Sequence, residues 1–483
     1  MLPKNKLVYG SNVESSAARS YRSNIQPQNG TGTYNSGDTI TINIPTRNNL
    51  VLVPEESVLK FTVTYKNNSA DADNVIRFDS CGGHGIIDRI RIWHGSNLLE
   101  DITAYGVLAK LMFDLQVPSD ATYGKHNILS GTRNDLVVPI PVTVAADFTT
   151  ATPKFNTFGL SAYQINSGLR VSGNAGLMAA STTCKADLSL NLISLIGSLG
   201  SSRYFPLFAC TSAPLRVEIT LASNGLSTAM CNKALDGTTP MQITNCEYIA
   251  QFIELNDTAM SIISNSQQGQ PIQYVFQDYR NYQYSATLPT SITTVTMPIP
   301  AKFASLKSLF VTARENANIS TIAYFPYSCN KFKISSYFFR IGSSILPSKV
   351  PDTVPEMFAE ACKAIVSISD LNHHPSIELT SYSTDNSMVN SAANYGDVSV
   401  ALGTAVLSSS AIHSGSFYVG LDLENYANSD KSQIFAGWNS STDDIYYIPT
   451  FAAQTAATVV RFDAFALFDS LLVFENNTCY VKY

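Results

Sequence analysis

Residues 90–99, Ile90-Arg91-Ile92-Trp93-His94-Gly95-Ser96-Asn97-Leu98-Leu99, decide the fold together with residues 337–346, Tyr337-Phe338-Phe339-Arg340-Ile341-Gly342-Ser343-Ser344-Ile345-Leu346. Each run is rich in β-branched and aromatic residues and breaks at a Gly-Ser pair, the composition of a strand entering a turn. Each is followed by helical spacing. Ile102, Tyr105, Leu108, Ala109, Met112 and Phe113 predict a helix over 102–116 stopped by Pro118, and Met357, Phe358, Ala361 and Ile365 predict one over 355–366 with Pro355 in its first turn. Gly95-Ser96 maps onto Gly342-Ser343 at a displacement of 247 residues, and the same displacement carries Val58–Tyr65 onto Ser305–Thr312. One displacement that places a strand and a later strand–turn–helix element points to a duplicated domain. Pro214–Leu221 and Phe417–Leu423 then read as equivalent late strands at a shorter displacement, with a longer insertion in the first half.

Working outward, Ile40, Ile42 and Ile44 alternate with Thr39, Thr41 and Asn43, a half-buried strand ended by Pro45. Pro214 to Leu221 alternates as strictly, and Cys246–Leu255, Ile272–Phe276, Ile292–Ile299, Leu306–Thr312, Phe332–Ile341 and Val459–Phe474 complete the clear strands. Gly82-Gly83-His84-Gly85 falls between two β-segments and reads as a turn. Many short strands with one substantial helix per half indicate β-sandwiches, not a parallel α/β sheet. Asn256–Gln270, polar and rich in Ser and Gln, reads as the linker between halves. The first ~35 residues show no apolar period, and Lys4, Lys6, Arg19 and Arg22 outweigh Glu14. They read as a flexible basic arm whose removal should leave folding unchanged. The expected divisions are an arm at 1–35, a first sandwich at 36–262 and a second at 263–483.

Composition agrees with two domains in 483 residues. Hydrophobic residues are 45% and charged residues only 14%, so the surface must be built largely from Ser, Thr, Asn and Gln. That suits a chain packed against copies of itself. The net charge of −6 argues against a nucleic-acid surface spread over the whole molecule. No run approaches the roughly 18–20 apolar residues of a membrane-spanning helix. Met1-Leu2-Pro3-Lys4-Asn5-Lys6 lacks the apolar core of a signal peptide, so secretion is not expected. The eight cysteines are widely spaced with no C-x-x-C pair and read as buried free thiols.

Catalytic and cofactor signatures are missing. There is no G-x-S-x-G elbow, phosphate loop or dinucleotide-binding turn, so neither an enzyme nor a cofactor site is expected. His373-His374 is the only close histidine pair, and neighbours on an extended chain point apart. Asp443-Asp444 and Asp71-Ala72-Asp73 lack the glycine and terminal glutamate of a calcium loop, so no metal site is expected.

Two passages carry a family resemblance. Gly197-Ser198-Leu199, Tyr204-Phe205-Pro206-Leu207 and Ala213-Pro214-Leu215-Arg216-Val217-Glu218 look like the aromatic and proline passage before a late strand of the first roll in double-jelly-roll major capsid proteins. Val460 to Phe468 with Leu471-Leu472-Val473-Phe474 is similar to closing strands of the polinton-like virus and virophage branch. The wider lineage includes tectivirus-type phages, adenoviruses and large nucleocytoplasmic DNA viruses. The resemblance covers nearly all of the chain after residue ~35 and is diffuse in its motifs. It implies an all-β fold of two consecutive eight-stranded jelly-roll sandwiches, each with a short helix in a loop. It further implies a homotrimer forming a pseudo-hexameric capsomer, a lattice of such capsomers in an icosahedral virion, and contacts with penton and minor capsid proteins. The residues from Val138 to Lys185 would belong to an outward loop tower, and Lys4, Lys6, Arg19 and Arg22 would make inner-face contacts with an internal membrane or the genome. A competing reading is a carbohydrate-binding or host-attachment sandwich, supported by Asp278-Tyr279-Arg280-Asn281-Tyr282-Gln283-Tyr284 if it forms a sugar-stacking loop.

Overall fold

The computed structural model describes residues 18–29, 32–66, 76–118, 120–121, 124–131, 169–171, 183–200, 204–222, 230–232, 242–267, 269–319, 327–370, 373–385, 414–425 and 435–483. Besides four pieces of two or three residues, eight principal strands make the first roll: β1 (Ala18–Ile25), β2 (Thr39–Ile44), β3 (Leu50–Lys66), β4 (Ile87–His94), β5 (Asn97–Thr103), β6 (Thr183–Leu190), β7 (Leu215–Leu221) and β8 (Gln242–Leu255). They form two antiparallel sheets, ordered β1-β8-β3-β6 and β2-β7-β4-β5. Eight more make the second: β9 (Ile272–Leu288), β10 (Met297–Ile299), β11 (Leu306–Glu315), β12 (Ile334–Ile341), β13 (Ser344–Leu346), β14 (Val419–Asp422), β15 (Ile445–Phe451) and β16 (Thr458–Glu475). Their sheets run β9-β16-β11-β14 and β10-β15-β12-β13. Raising every strand number of the first roll by eight gives the second. This interleaved order, the same in both halves, is the jelly roll, and the fold is a double jelly roll. A last strand, β17 (Thr478–Lys482), folds back on β16.

The alternation that identified the strands is the alternation that fills the cores. On β2, Ile40, Ile42 and Ile44 are buried while Thr39, Thr41 and Asn43 face outward, and β7 repeats the pattern. The two Gly-Ser turns close β4–β5 and β12–β13, with the pairs His94–Asn97 and Ile341–Ser344 flanking them. Gly95 and Gly342 take φ of 57° and 56°, at the first central position where a two-residue hairpin loop favours glycine. The displacement of 247 therefore holds for both strands of this hairpin, from β4 at 87 to β12 at 334 and from β5 at 97 to β13 at 344. Helices follow each hairpin: α1 (Tyr105–Gln116) in the first half and α3 (Val354–Lys363) in the second, with α2 (Asp257–Gln267) between β8 and β9. Thr353 caps α3 by accepting from the Glu356 amide, and Pro355 sits in its first turn.

Four expectations are corrected. The basic arm is not loose throughout, because its residues 18–25 are β1, paired along its full length with β8. Backbone hydrogen bonding holds a segment whose side chains show no apolar period. Residues 257–267 of the expected linker form α2, with the Asn256 side chain accepting from the Ala259 amide at its start. Phe417–Leu423 is not the equivalent of Pro214–Leu221, since Val419–Asp422 pairs with β11 and so corresponds to β6. The true counterpart of β7 is β15, flanked like it by the second and fourth strands of its roll. Lastly, Leu50 to Ser57 extends β3 upstream of the expected strand at Val58.

These corrections change one expected result. Truncation through Ile25 removes Tyr21, packed on Phe252, and Ile25 from the first core. Losing two partly buried side chains at roughly 1–2 kcal/mol each should lower Tm by about 5–10 °C for unfolding of a unit the size of one roll. Thermal unfolding of the truncated chain checks this, and an unchanged Tm would mean β1 adds nothing to the sheet.

Candidate assembly surfaces and the seam between the rolls

The rolls are joined by a buried, partly charged seam. Helix α1 is buried almost all round, and Lys110 in its middle has a side chain only 1% exposed. Its Nζ lies 3.0 Å from Asp114 Oδ2 and 3.4 Å from Asp79 Oδ1, and donates to Ser80 at 2.7 Å. The second roll completes this cluster. Ser416 and Tyr418 both donate to Asp114 Oδ2 at 2.7 Å, and Ser414 donates to Asp79 at 3.1 Å. Burial alone would lower the Lys110 pKa, yet the charges of Asp114 and Asp79 hold it above its usual value.

Three more contacts tie the seam. His94 Nδ1 accepts from the Cys479 amide at 3.1 Å, leaving Nε2–H to donate to the Cys210 carbonyl at 3.0 Å. Asn97 donates to the Cys479 carbonyl, so the β16–β17 hairpin is bolted to the first roll's Gly-Ser turn. Phe205 packs edge-on against Phe474. At the crossing of β5 with β9, Glu100 and Asp278 are both fully buried. Leu195 N–H donates to Glu100 Oε1 and Tyr279 N–H to Asp278 Oδ1, and the other oxygen of each carboxyl has no hydrogen-bond partner.

The outward sheet faces of the two rolls differ in chemistry. On the first roll, Arg89 grips Asp101 with two bonds of 2.7 Å, and Glu218 takes Arg91 at 3.1 Å and Arg216 at 3.2 Å. Trp93 Nε1 also donates to Glu218, at 3.1 Å, and Arg216 lies over the Trp93 ring. On the second roll the corresponding face presents Phe338 beside Ile448 and Arg340 over the Tyr446 ring. One face is a ladder of ion pairs and the other an apolar and aromatic stripe.

Of the four basic residues expected at an inner face, Lys4 and Lys6 lie outside the described residues. Arg19 and Arg22 lie on β1, where Arg19 pairs with Glu254 at 2.7 Å and stacks over Tyr21. The Arg19 side chain is nonetheless 76% exposed. The expected tower, Val138 to Lys185, lies almost wholly outside the described residues, as do His413 and Asp71-Ala72-Asp73. His84 is buried against Tyr105 at 2.9 Å, and burial pushes its pKa down to about 3. His373 hydrogen-bonds with the Leu115 carbonyl, another contact across the seam. Asp443 accepts from Trp438 Nε1 at 3.1 Å and Asp444 pairs with Lys302 at 3.0 Å. Among the described residues no three His, Cys, Asp or Glu side chains are placed to hold a metal ion. Six cysteines, Cys81, Cys210, Cys246, Cys329, Cys362 and Cys479, are buried free thiols. The Asp278–Tyr284 cluster runs along β9, with Tyr279 buried and Tyr282 and Tyr284 packed on the second core, not on a sugar-stacking loop.

Comparison with known proteins places this fold. No family model and no curated protein sequence matches the chain. Solved structures do match over nearly its whole length. The Sputnik virophage structure covers 100% of this chain and 92% of its own at a TM-score of 0.59 and 11% identity. The mavirus major capsid protein covers 99% and 93% at 0.58 and 14%. The PBCV-1 virus capsid covers 99% and 100% at 0.58 and 9%. At such identities the shared property is the fold, the double jelly roll of virophage and giant-virus capsid proteins.

Proposed function

We propose that this chain is a major capsid protein, three copies of which close into a pseudo-hexameric capsomer that tiles an icosahedral virion shell. The observation that carries this reading is the repetition of one strand order in two rolls fused by a buried seam. Three such chains offer six near-equivalent rolls around a threefold axis, the arrangement that fills a hexagonal tile. The contact between the first roll of one chain and the second roll of the next is heterologous, and it closes into a ring at three copies. The unlike outer faces suit such a contact, because the stripe at Phe338 and Ile448 gains by leaving water, while the ion-pair ladder keeps two donors, Arg91 Nε and Arg216 Nε, that its own hydrogen bonds do not satisfy. The shell would add penton and minor capsid proteins as partners, with an internal membrane or the genome facing the chain's N-terminal residues.

Electron microscopy of the purified protein should show hexagonal trimers or shells. Light scattering in molar salt at high dilution should give three times the 52.4 kDa chain mass, because interfaces above ~2,000 Å² rest on burial and shape, not on screened surface charge. Phe338→Glu should leave the Tm of the chain within about 2 °C, since its side chain faces outward, yet shift scattering toward the monomer. A folded wild-type monomer under those conditions, with selective binding on a glycan array, would reverse the assignment toward carbohydrate binding.

A further inference from the structure

Lys307, near the start of β11, is, like Lys110, a lysine sealed from water between carboxylates. Its Nζ lies 3.2 Å from Glu424 Oε1, just beyond β14, and 3.5 Å from Asp469 Oδ1 on β16, and all three side chains are 2% exposed or less. The strands carrying Lys307 and Asp469 are hydrogen-bonded neighbours, with a bulge in the ladder at Lys307. The far oxygen of Asp469, Oδ2, accepts from Ser305 Oγ at 2.8 Å and from the Phe435 amide at 2.9 Å. Ser305 is itself fixed by the Gly437 amide, and Phe435 is held at a φ of 54°, a left-handed conformation that a non-glycine residue seldom takes. The two oxygens of Asp469 are thus dissimilar. One faces an amine, and the other is clasped by two preorganised donors.

We infer that Lys307 and Asp469 condense into an intramolecular isopeptide bond, with Glu424 as the proton carrier. Glu424 takes a proton from the Lys307 ammonium, and the freed amine attacks Asp469 Cγ. Negative charge gathers on Oδ2, where Ser305 and the Phe435 N–H meet it as an oxyanion hole does. The C–Oδ1 bond then breaks, and Oδ1 departs as water with two of the three ammonium hydrogens. One remains on the amide nitrogen. The balance is ammonium plus carboxylate giving amide plus water, with no outside reagent. Three features favour it. Exclusion of water removes the solvent that drives the reverse hydrolysis, and the strand pairing fixes the reactants in contact. Burial also raises the Asp469 pKa, against the opposing pull of Lys307, toward the protonated acid that an amine attacks more readily. The Lys110 cluster is different. There three donors, the lysine among them, converge on the single oxygen Asp114 Oδ2, an arrangement that holds an ion pair.

Intact-mass spectrometry of the denatured full-length protein tests this. The wild-type chain should be lighter than its sequence by one water, after allowance for N-terminal processing. A tryptic digest should yield a branched peptide joining Lys307 to Asp469. Lys307→Arg should restore the full sequence mass, and Glu424→Gln should do so or slow the loss of water to a measurable rate. A folded wild-type protein at full sequence mass overturns the inference. So does loss of water with Lys307 recovered in an ordinary linear peptide. Should Lys307→Arg fail to fold, the branched peptide in the wild type and the Glu424→Gln mass decide the matter.

Discussion

Asp114→Ala should lower Tm by roughly 10 °C, the largest effect expected from a single conventional substitution here. The change leaves the Lys110 ammonium buried with Asp79 at 3.4 Å as its remaining carboxylate, and it strips Ser416 and Tyr418 of their shared acceptor. Breaking a buried pair from one side typically costs about 3–5 kcal/mol, more than deleting both partners together. Lys110→Met with Asp114→Leu should therefore recover part of the loss. Scanning calorimetry of the three proteins decides between a charged cluster that acts as a unit and one whose members act independently. If the double variant is as unstable as Asp114→Ala, packing and not charge is the cause.

The crossing of β5 and β9 should make stability depend on pH. Burial is the main reason the Glu100 carboxyl stands well above its ordinary range, and the charge of Asp278 adds to it. Burial likewise raises Asp278 from 3.8 to about 7, opposed by the Tyr279 N–H and by Arg280 and assisted by Asp101. Tyr483 faces the same pocket. A carboxyl raised in the folded state favours folding at low pH. Below about pH 4 both states hold the proton. Between about 4 and 7 the unfolded chain releases it while the folded chain keeps it, so stability falls as pH rises. Between pH 5 and pH 8 the wild type should lose roughly 5–10 °C in Tm relative to Asp278→Asn, which keeps the shape and removes one titration. Parallel curves for the two proteins would show that the pair ionises freely.

Much of the fold is legible in the sequence, and for identifiable reasons. The β4–β5 and β12–β13 hairpins are visible because a glycine at positive φ, strand-forming residues before it and a helical period after it coincide at one displacement. β15 is not visible, because its outward Tyr446 and Ile448 are as apolar as its inward Ile445 and Tyr447, and Pro449 interrupts it. Without contrast between faces a strand has no period of two to find. β1 escapes for the opposite reason. Its residues are mostly polar on both faces, and its place is set by the β8 backbone. The buried charged groups do leave a signal. Lys110 stands alone within Val107-Leu108-Ala109-Lys110-Leu111-Met112-Phe113, and Asp469 follows Phe465-Ala466-Leu467-Phe468. A lone charge in an apolar run must either reach solvent or find a partner, and only three dimensions show which.

The chain holds two tryptophans, Trp93 in the first roll and Trp438 in the second, and each indole N–H donates to a carboxylate at 3.1 Å. Each roll therefore carries its own fluorophore, wired to a group whose loss changes emission. Single-tryptophan variants, Trp93→Phe and Trp438→Phe, turn the molecule into its own pair of optical gauges. If the seam binds the rolls into one cooperative unit, the two emission curves superimpose along a urea titration. If each roll melts by its own rules, they part, and the gap between them measures how strongly one half of the chain supports the other.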